Sequence, residues 1–94
     1  MKKHGIGIIG CGTISQTYLK NLTSKFSILE VIGVSDIIPE RSKAKAEAFG
    51  VRQMTNEEIY ACDEIEVVVN LTNPTSHYEV SRDALLAGKH VYSE

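Results

Sequence analysis

The stretch Ile6-Gly7-Ile8-Ile9-Gly10-Cys11-Gly12-Thr13-Ile14-Ser15 combines a short apolar run, a Gly-x-Gly turn and the start of an amphipathic segment. The apolar run predicts a strand that is buried on both faces, because no polar residue alternates with the apolar ones. Gly10 and Gly12 permit a tight turn and a close approach of the backbone to a phosphate group. Ser15 stands where the corresponding glycine fingerprint prefers Gly or Ala, so the interpretation depends on the surrounding residues.

The composition describes one small α/β domain over residues 1–94, with 43% hydrophobic residues and a formal charge of −2. Acidic and basic residues nearly balance at 12 and 10, which gives no support to nucleic-acid binding. No apolar run approaches the about 18 residues that cross a bilayer, so we expect a cytoplasmic protein without a membrane partner. Cys11 and Cys62 lack the spacing of metal ligands, which predicts two reduced thiols, no metal site and no disulfide.

Predicted strands alternate with predicted helices along the chain. The strands are expected at residues 6–9, 28–35, 51–54, 65–71 and 90–92, and the helices at 13–26, 39–49, 55–61 and 76–87. This alternation predicts right-handed βαβ units and a Rossmann-type three-layer domain, whose parallel sheet has the strand order 3-2-1-4-5. In such sheets a ligand lies beyond the carboxyl ends of the strands, between the first and the fourth.

Local patterns refine three of these helices. The helix over 39–49 is expected to turn Ala44, Ala48 and Phe49 toward the sheet and to end at Gly50. Thr55 and Glu58 have the spacing of a capping box, which predicts the start of the next helix. The residues of the last helix that are available for packing are Val80, Ala84, Leu85 and Ala87.

Asp36 follows the second predicted strand, 24 residues after Gly12. An acid at this distance accepts hydrogen bonds from an adenosine ribose, and its charge would repel a 2′-phosphate, which favours NAD. Arg41 leaves NADP open, because a nearby guanidinium could neutralise that phosphate. The alternative interpretation of Asp36 is a turn or capping aspartate without a ligand.

Three segments of the chain, residues 10–15, 71–77 and 88–94, resemble the Gfo/Idh/MocA oxidoreductases, the family of glucose-fructose oxidoreductase and inositol dehydrogenase. The resemblance implies the N-terminal, NAD(P)-binding domain of an enzyme that transfers hydride between a sugar- or cyclitol-like hydroxyl and nicotinamide. It also implies a truncated chain, because the family typically reads Gly-Lys-His-Val-x-x-Glu-Lys-Pro and its active-site lysine would follow Glu94. Only the full-length protein would then bind the small-molecule substrate, and this chain alone is expected to be inactive.

The resemblance also implies where the cofactor would be bound. Contacts to the pyrophosphate would come from Gly10, Gly12, Thr13 and Ile14, and contacts to the adenosine end from Asp36 and Arg41. The cleft near the fourth strand would be lined by Thr72, Asn73, Pro74 and His77, with Glu94 near the nicotinamide ribose. The position of His77 near a helix start favours a cofactor or capping contact over proton transfer. The sequence predicts no catalytic residue within this chain.

Two further interpretations stay open at the level of sequence. A non-catalytic module that senses NAD(H) would share the same Rossmann pattern, and so would a structural Rossmann module with an empty site. The exposed edge of the fifth strand favours self-association, so we also expect a homodimer, formed through that edge or through the surface that a second domain would cover.

Overall fold

The computed structural model describes residues 4–10, residue 12 and residues 29–93. From β2 onward strands and helices alternate, as predicted from the sequence. The strands are β1 (His4–Ile9), β2 (Leu29–Ser35), β3 (Arg52–Gln53), β4 (Ile65–Asn70) and β5 (His90–Ser93). The helices are α1 (Pro39–Phe49), α2 (Asn56–Ala61) and α3 (Pro74–Leu86). The helix predicted over residues 13–26 lies outside the described residues.

The five strands form one parallel sheet in the order β3-β2-β1-β4-β5, which confirms the predicted topology. The last residue of the central strand, Ile9, is in register with Ser35 of β2 and with Asn70 of β4. Three neighbouring strands therefore end at the same level. Their following turns, at Gly10, Asp36 and Leu71, meet at one edge of the sheet.

Two apolar clusters hold the sheet between its helices. Ile8 and Val34 belong to one cluster with Ala46 of α1, and Ile9 belongs to the other cluster with Ile59 of α2. Consecutive residues Ile8 and Ile9 fall in different clusters because successive strand side chains point to opposite faces. Full burial of a large aliphatic side chain, as for Ile8 and Ile59 at 0% exposure, contributes about 2 kcal/mol each.

The buried face of α1 differs in part from the prediction, although Phe49 packs against the core as expected. Ala44 and Ala48 are exposed, and the buried residues of the helix are Ser42 and Ala46. The Ser42 hydroxyl donates to the carbonyl of Pro39 at 3.0 Å and accepts from Nε2 of Gln53 at 2.9 Å. Because the Ser42 hydroxyl both donates and accepts a hydrogen bond, a serine can be buried on this helix face in place of the predicted alanines.

The helix ends agree with the sequence in part. Gly50 ends α1 in the left-handed conformation, and Thr55 and Glu58 form the predicted capping box of α2. Helix α3 starts two residues before the predicted boundary, because Asn73 caps it and proline is tolerated in the first turn. On this helix Val80 and Ala84 are buried as predicted, whereas Leu85 is 61% exposed. Ala87, which was also expected to pack, is exposed.

None of the helices in the described ranges is long and apolar enough to cross a membrane.

Candidate dinucleotide-binding site

A cleft of about 830 Å³ lies beyond the carboxyl ends of the strands. It is lined by the turns that follow β1, β2 and β4, together with the first residues of all three described helices. Six residues that were predicted to bind the cofactor line this cleft: Gly10, Gly12, Asp36, Arg41, Thr72 and Asn73.

Gly10 brings two of the cleft-forming turns into contact. Its φ of +103° is a conformation that side-chain-bearing residues rarely adopt. A Cβ atom at Gly10 would lie 2.7 Å from the carbonyl carbon of Leu71 and 2.9 Å from the amide nitrogen of Thr72. Glycine is therefore required here for the close approach of the turn after β1 to the turn after β4.

Gly12 has a different role from Gly10. A Cβ atom at Gly12 would meet no described atom within 4 Å. Packing among the described residues therefore does not require a glycine at this position. Because Gly12 lines the cleft, the missing side chain leaves room for a ligand to approach the backbone. Thr13 and Ile14, the other residues assigned to the pyrophosphate, lie outside the described residues.

Asp36 is held at the cleft by its own backbone neighbourhood. Its Oδ1 accepts a hydrogen bond from the amide of Ile38 at 2.7 Å, an Asx turn that fixes the carboxylate at the end of β2. Next to it, the Ser35 hydroxyl donates to Oδ1 of Asn56 at 2.6 Å and ties the start of α2 to the same strand end. Arg41, in the first turns of α1, also lines the cleft and is exposed.

The turn between β4 and α3 supplies Thr72 and Asn73 to the cleft. Oδ1 of Asn73 accepts from the amide of Ser76 at 3.2 Å and from the hydroxyl of Thr75 at 2.6 Å. The carbonyl end of the Asn73 side chain is thus used in capping α3. Within the Asn73 side chain, the N–H groups of Nδ2 are left to donate to a ligand.

Asn70 organises this turn, and sequence reasoning missed it. The side chain is fully buried at the end of β4 and makes four hydrogen bonds. The signal in the sequence is an asparagine that follows directly on the apolar run Val67-Val68-Val69. A polar residue at the end of a buried strand must find partners, which indicates a role in shaping the next turn.

The remaining predicted residues are placed differently. His77 is not among the described residues that line the cleft, and its Nε2 is buried without a hydrogen-bond partner among them. Its carbonyl accepts from Asn70, so the residue contributes to the turn through its backbone. Pro74 is the first residue of α3, and Glu94 lies outside the described residues. The cofactor contacts assigned to these three residues stay predictions.

One wall of the cleft was not predicted. It includes Tyr60 and Glu57 of α2 and Asp83 of α3. Burial raises the pKa of the Tyr60 phenol above its ordinary value of 10.0, and the negative charges of Asp83 and Glu57 raise it further. In the sequence these side chains have the pattern of a solvated helix surface. Their position at the cleft is evident only in the folded structure, where α2 and α3 cover the same face of the sheet.

Comparison with known proteins agrees with this arrangement. Residues 4–94 match the Gfo/Idh/MocA family, described as an oxidoreductase family with an NAD-binding Rossmann fold. The inositol 2-dehydrogenase/D-chiro-inositol 3-dehydrogenase of Lactiplantibacillus plantarum is 33% identical over 92 residues, which cover 95% of this chain and 26% of that protein.

Two solved structures show the same fold. An NAD-binding protein from Listeria innocua has a TM-score of 0.87 at 34% identity, with 98% of this chain and 27% of the other covered. The WlbA dehydrogenase from Bordetella pertussis, in complex with NADH and UDP-GlcNAcA, has a TM-score of 0.89 at 26% identity, with 98% and 28% covered. This chain thus spans between 26% and 28% of the length of the three proteins. Because the family match runs through every strand of the sheet and every turn of the cleft, the chain belongs to the Gfo/Idh/MocA oxidoreductases, as their NAD-binding Rossmann-fold domain.

Proposed function

We propose that this chain is the cofactor-binding part of an NAD-dependent dehydrogenase that transfers hydride between a sugar- or cyclitol-like hydroxyl carbon and nicotinamide. The inositol dehydrogenase from L. plantarum supports this substrate class and favours an enzyme over a non-catalytic nucleotide sensor. Substrate binding and turnover are assigned to a longer protein, because this chain spans about a quarter of that relative's length.

The observation that carries the proposal is the position of Asp36 beside the glycine turn. The amide of Gly10 donates to the carbonyl of Ser35 at 2.8 Å, so the turn after β1 is bonded to the residue before Asp36. A dinucleotide that places its pyrophosphate at Gly10 and Gly12 would direct its adenosine ribose toward β2. The Asp36 carboxylate would accept hydrogen bonds from that ribose.

The same carboxylate supports NAD rather than NADP. A 2′-phosphate on the adenosine ribose would bring up to two negative charges against Asp36. Glu57 and Asp83 add negative charge to the cleft, and Arg41 is the one cationic side chain among the described residues that line it. We therefore assign NAD as the preferred cofactor.

The bound cofactor would supply the hydride acceptor, and this chain would hold and orient it. Gly10 and Gly12 would receive the pyrophosphate, Asp36 the ribose, and the β4–α3 turn the nicotinamide half. We assign the proton transfer that accompanies oxidation of the hydroxyl to the longer protein, since the sequence of this chain predicts no catalytic residue. The isolated chain is then expected to bind NAD without oxidising an inositol.

Calorimetric titration of the 94-residue chain with NAD, NADP and ADP tests this function. We expect weak but measurable binding of NAD and ADP. Asp36→Asn should weaken NAD and ADP binding about tenfold and narrow the preference for NAD over NADP, because the ribose loses a charged acceptor. Glu47→Gln is the matched control, since Glu47 is an exposed carboxylate on α1 that does not line the cleft.

Two results would reject the proposal. One is the absence of heat and of any thermal shift at millimolar NAD or NADH, and the other is tighter binding of NADP than of NAD by the unmodified chain. Equal effects of Asp36→Asn and Glu47→Gln would reject the role of Asp36 while leaving dinucleotide binding in place.

A further inference from the structure

The orientation of the Asn70 side chain is fixed by its partners. Nδ2 donates to the carbonyl of His77 at 2.9 Å and to the hydroxyl of Ser81 at 2.8 Å. Oδ1 accepts from the amide of Thr72 at 3.1 Å and from the hydroxyl of Thr72 at 2.6 Å. A carbonyl can only accept and a backbone amide can only donate, so exchanging the oxygen and nitrogen of Asn70 would oppose like groups at both ends.

This orientation determines what the Thr72 hydroxyl can do. Because Oδ1 of Asn70 has no proton, the 2.6 Å contact requires the hydroxyl of Thr72 to donate. A hydroxyl has one proton and two lone pairs. The proton is used inside the protein, and the oxygen of Thr72 retains only acceptor capacity. Among the described residues, no donor is hydrogen-bonded to that oxygen.

The position of Thr72 indicates which half of a dinucleotide it meets. Thr72 lines the cleft immediately after β4, and a Cβ at Gly10 would lie 2.9 Å from its amide nitrogen. Asp36 follows β2, which lies beside β1 on the side away from β4. Asp36 and Thr72 therefore lie on opposite sides of the glycine turn. With the adenosine directed toward β2, the nicotinamide half extends over the ends of β1 and β4.

We propose that the Thr72 hydroxyl is an acceptor-only contact for a hydrogen-bond donor on the nicotinamide half of the cofactor. Such donors are the ribose hydroxyls and the carboxamide N–H₂ group. The ionised pyrophosphate has no proton to donate, so it is not the partner of Thr72. Asn70 acts as a positioning residue that fixes this polarity. The inference rests on the proposed function, because it presupposes that the cleft binds a nicotinamide dinucleotide.

Titration of the 94-residue chain with NAD and with ADP tests the inference, since ADP has the adenosine and the pyrophosphate but no nicotinamide half. Thr72→Val removes the hydroxyl with little change in shape, and we expect it to weaken NAD binding about fivefold while ADP binding stays unchanged. Thr72→Ser keeps the hydroxyl and should restore the affinity for NAD. Thr75→Val is the control, because it removes a hydroxyl that donates over 2.6 Å in the same turn but does not line the cleft.

The analogue with acetylpyridine in place of nicotinamide distinguishes the two donors, because it lacks the carboxamide N–H₂. If Thr72→Val weakens its binding as much as that of NAD, the partner is a ribose hydroxyl. If the analogue is insensitive to Thr72→Val, the partner is the carboxamide. Both results support an acceptor-only contact on the nicotinamide half.

Three results would overturn it. These are equal losses of NAD and ADP affinity in Thr72→Val, no loss for either ligand, and a loss of NAD affinity in Thr75→Val as large as that in Thr72→Val. Urea unfolding of each variant shows whether a loss of affinity follows a loss of stability. An unmodified chain that binds neither NAD nor ADP instead rejects the proposed function itself, so the two failures are distinguishable.

Discussion

The amide of Gly10 donates to the carbonyl of Ser35 over 2.8 Å, and this bond joins two turns that have different tasks in the proposed function. Gly10 starts the turn assigned to the pyrophosphate, and Ser35 precedes the aspartate assigned to the ribose. Their spacing is therefore set by a backbone contact between neighbouring strands. For a dinucleotide that bridges the two turns, the distance between its two binding points would therefore not depend on side-chain rotamers.

Gly10→Ala should reduce both stability and NAD affinity. The new Cβ would lie 2.7 Å from the carbonyl carbon of Leu71, and the φ of +103° strains any side-chain-bearing residue. We expect a loss of about 3 kcal/mol in the free energy of unfolding, measured by urea denaturation. Gly88→Ala is the control for φ alone, since Gly88 has a φ of +82° and open space around its Cβ position. Equal losses in the two variants would contradict the close approach of the two turns.

Gly12→Val separates binding from stability. Its side chain would enter the cleft without meeting a described atom at the Cβ position. We expect the free energy of unfolding to change by less than about 1 kcal/mol, while NAD affinity falls more than about tenfold. The two quantities are measured by urea denaturation and by calorimetry on the same preparation. Unchanged affinity would show that the ligand does not approach the backbone at Gly12.

Asn70→Asp should destabilise the domain by about 3 kcal/mol at pH 7. The substitution takes the donor away from the carbonyl of His77 and the hydroxyl of Ser81, and it places a carboxylate at a position with 0% exposure. Asn73→Asp is the matched control, because Asn73 accepts two hydrogen bonds through Oδ1 and an aspartate retains this capacity at a helix start. We expect the control to change stability by less than about 1 kcal/mol. A similar loss in both variants would argue against the orientation assigned to Asn70.

Tyr60 should make stability depend on pH in the alkaline range. Its pKa in the folded protein is raised by burial and by the charges of Asp83 and Glu57, so the folded state retains the phenolic proton more strongly than the unfolded chain does. The contribution of Tyr60 to the free energy of unfolding is fully present below the unfolded pKa of about 10. It is lost as the pH rises toward the folded pKa. Relative to Tyr60→Phe, the unmodified chain should therefore lose stability above pH 10, as measured by urea unfolding between about pH 8 and 11.

Asp83→Asn provides the control for this pH dependence. Removing one of the two charges should bring the folded pKa of Tyr60 closer to the unfolded value of about 10, so the loss of stability above pH 10 should be smaller than in the unmodified chain. A stability difference between the unmodified chain and Tyr60→Phe that stays constant to pH 11 would be incompatible with a raised pKa.

The sheet could be predicted from the sequence because its strands are continuous apolar runs with turn signals at both ends. Ile8 and Ile9 are both buried, although they point to opposite faces, and this is why the run shows no alternation. The order of the strands followed from the alternation with helices. Asp36 could be placed at the cleft by the same reasoning, since it directly follows a predicted strand.

Burial of polar residues and long-range pairs could not be predicted in this way. Ser42 is buried on α1 because Gln53, 11 residues later, satisfies its hydroxyl. Nδ1 of His4 lies 2.9 Å from Oε2 of Glu66, which pairs β1 with β4 across 62 residues of sequence. Such partners are far apart in the chain and are chosen by the folded sheet. The local pattern of hydrophobic and polar residues does not identify these partners.

The four hydrogen bonds of Asn70 constrain how this turn can change during evolution. A single substitution of Asn70 leaves the groups of Thr72, His77 and Ser81 without their hydrogen-bond partner. Any substitution of Asn70 alone is therefore expected to destabilise the domain. Lineages that lose the asparagine are expected to alter positions 72 and 81 as well, and covariation among these positions would be the trace. The β4–α3 turn therefore evolves as one unit.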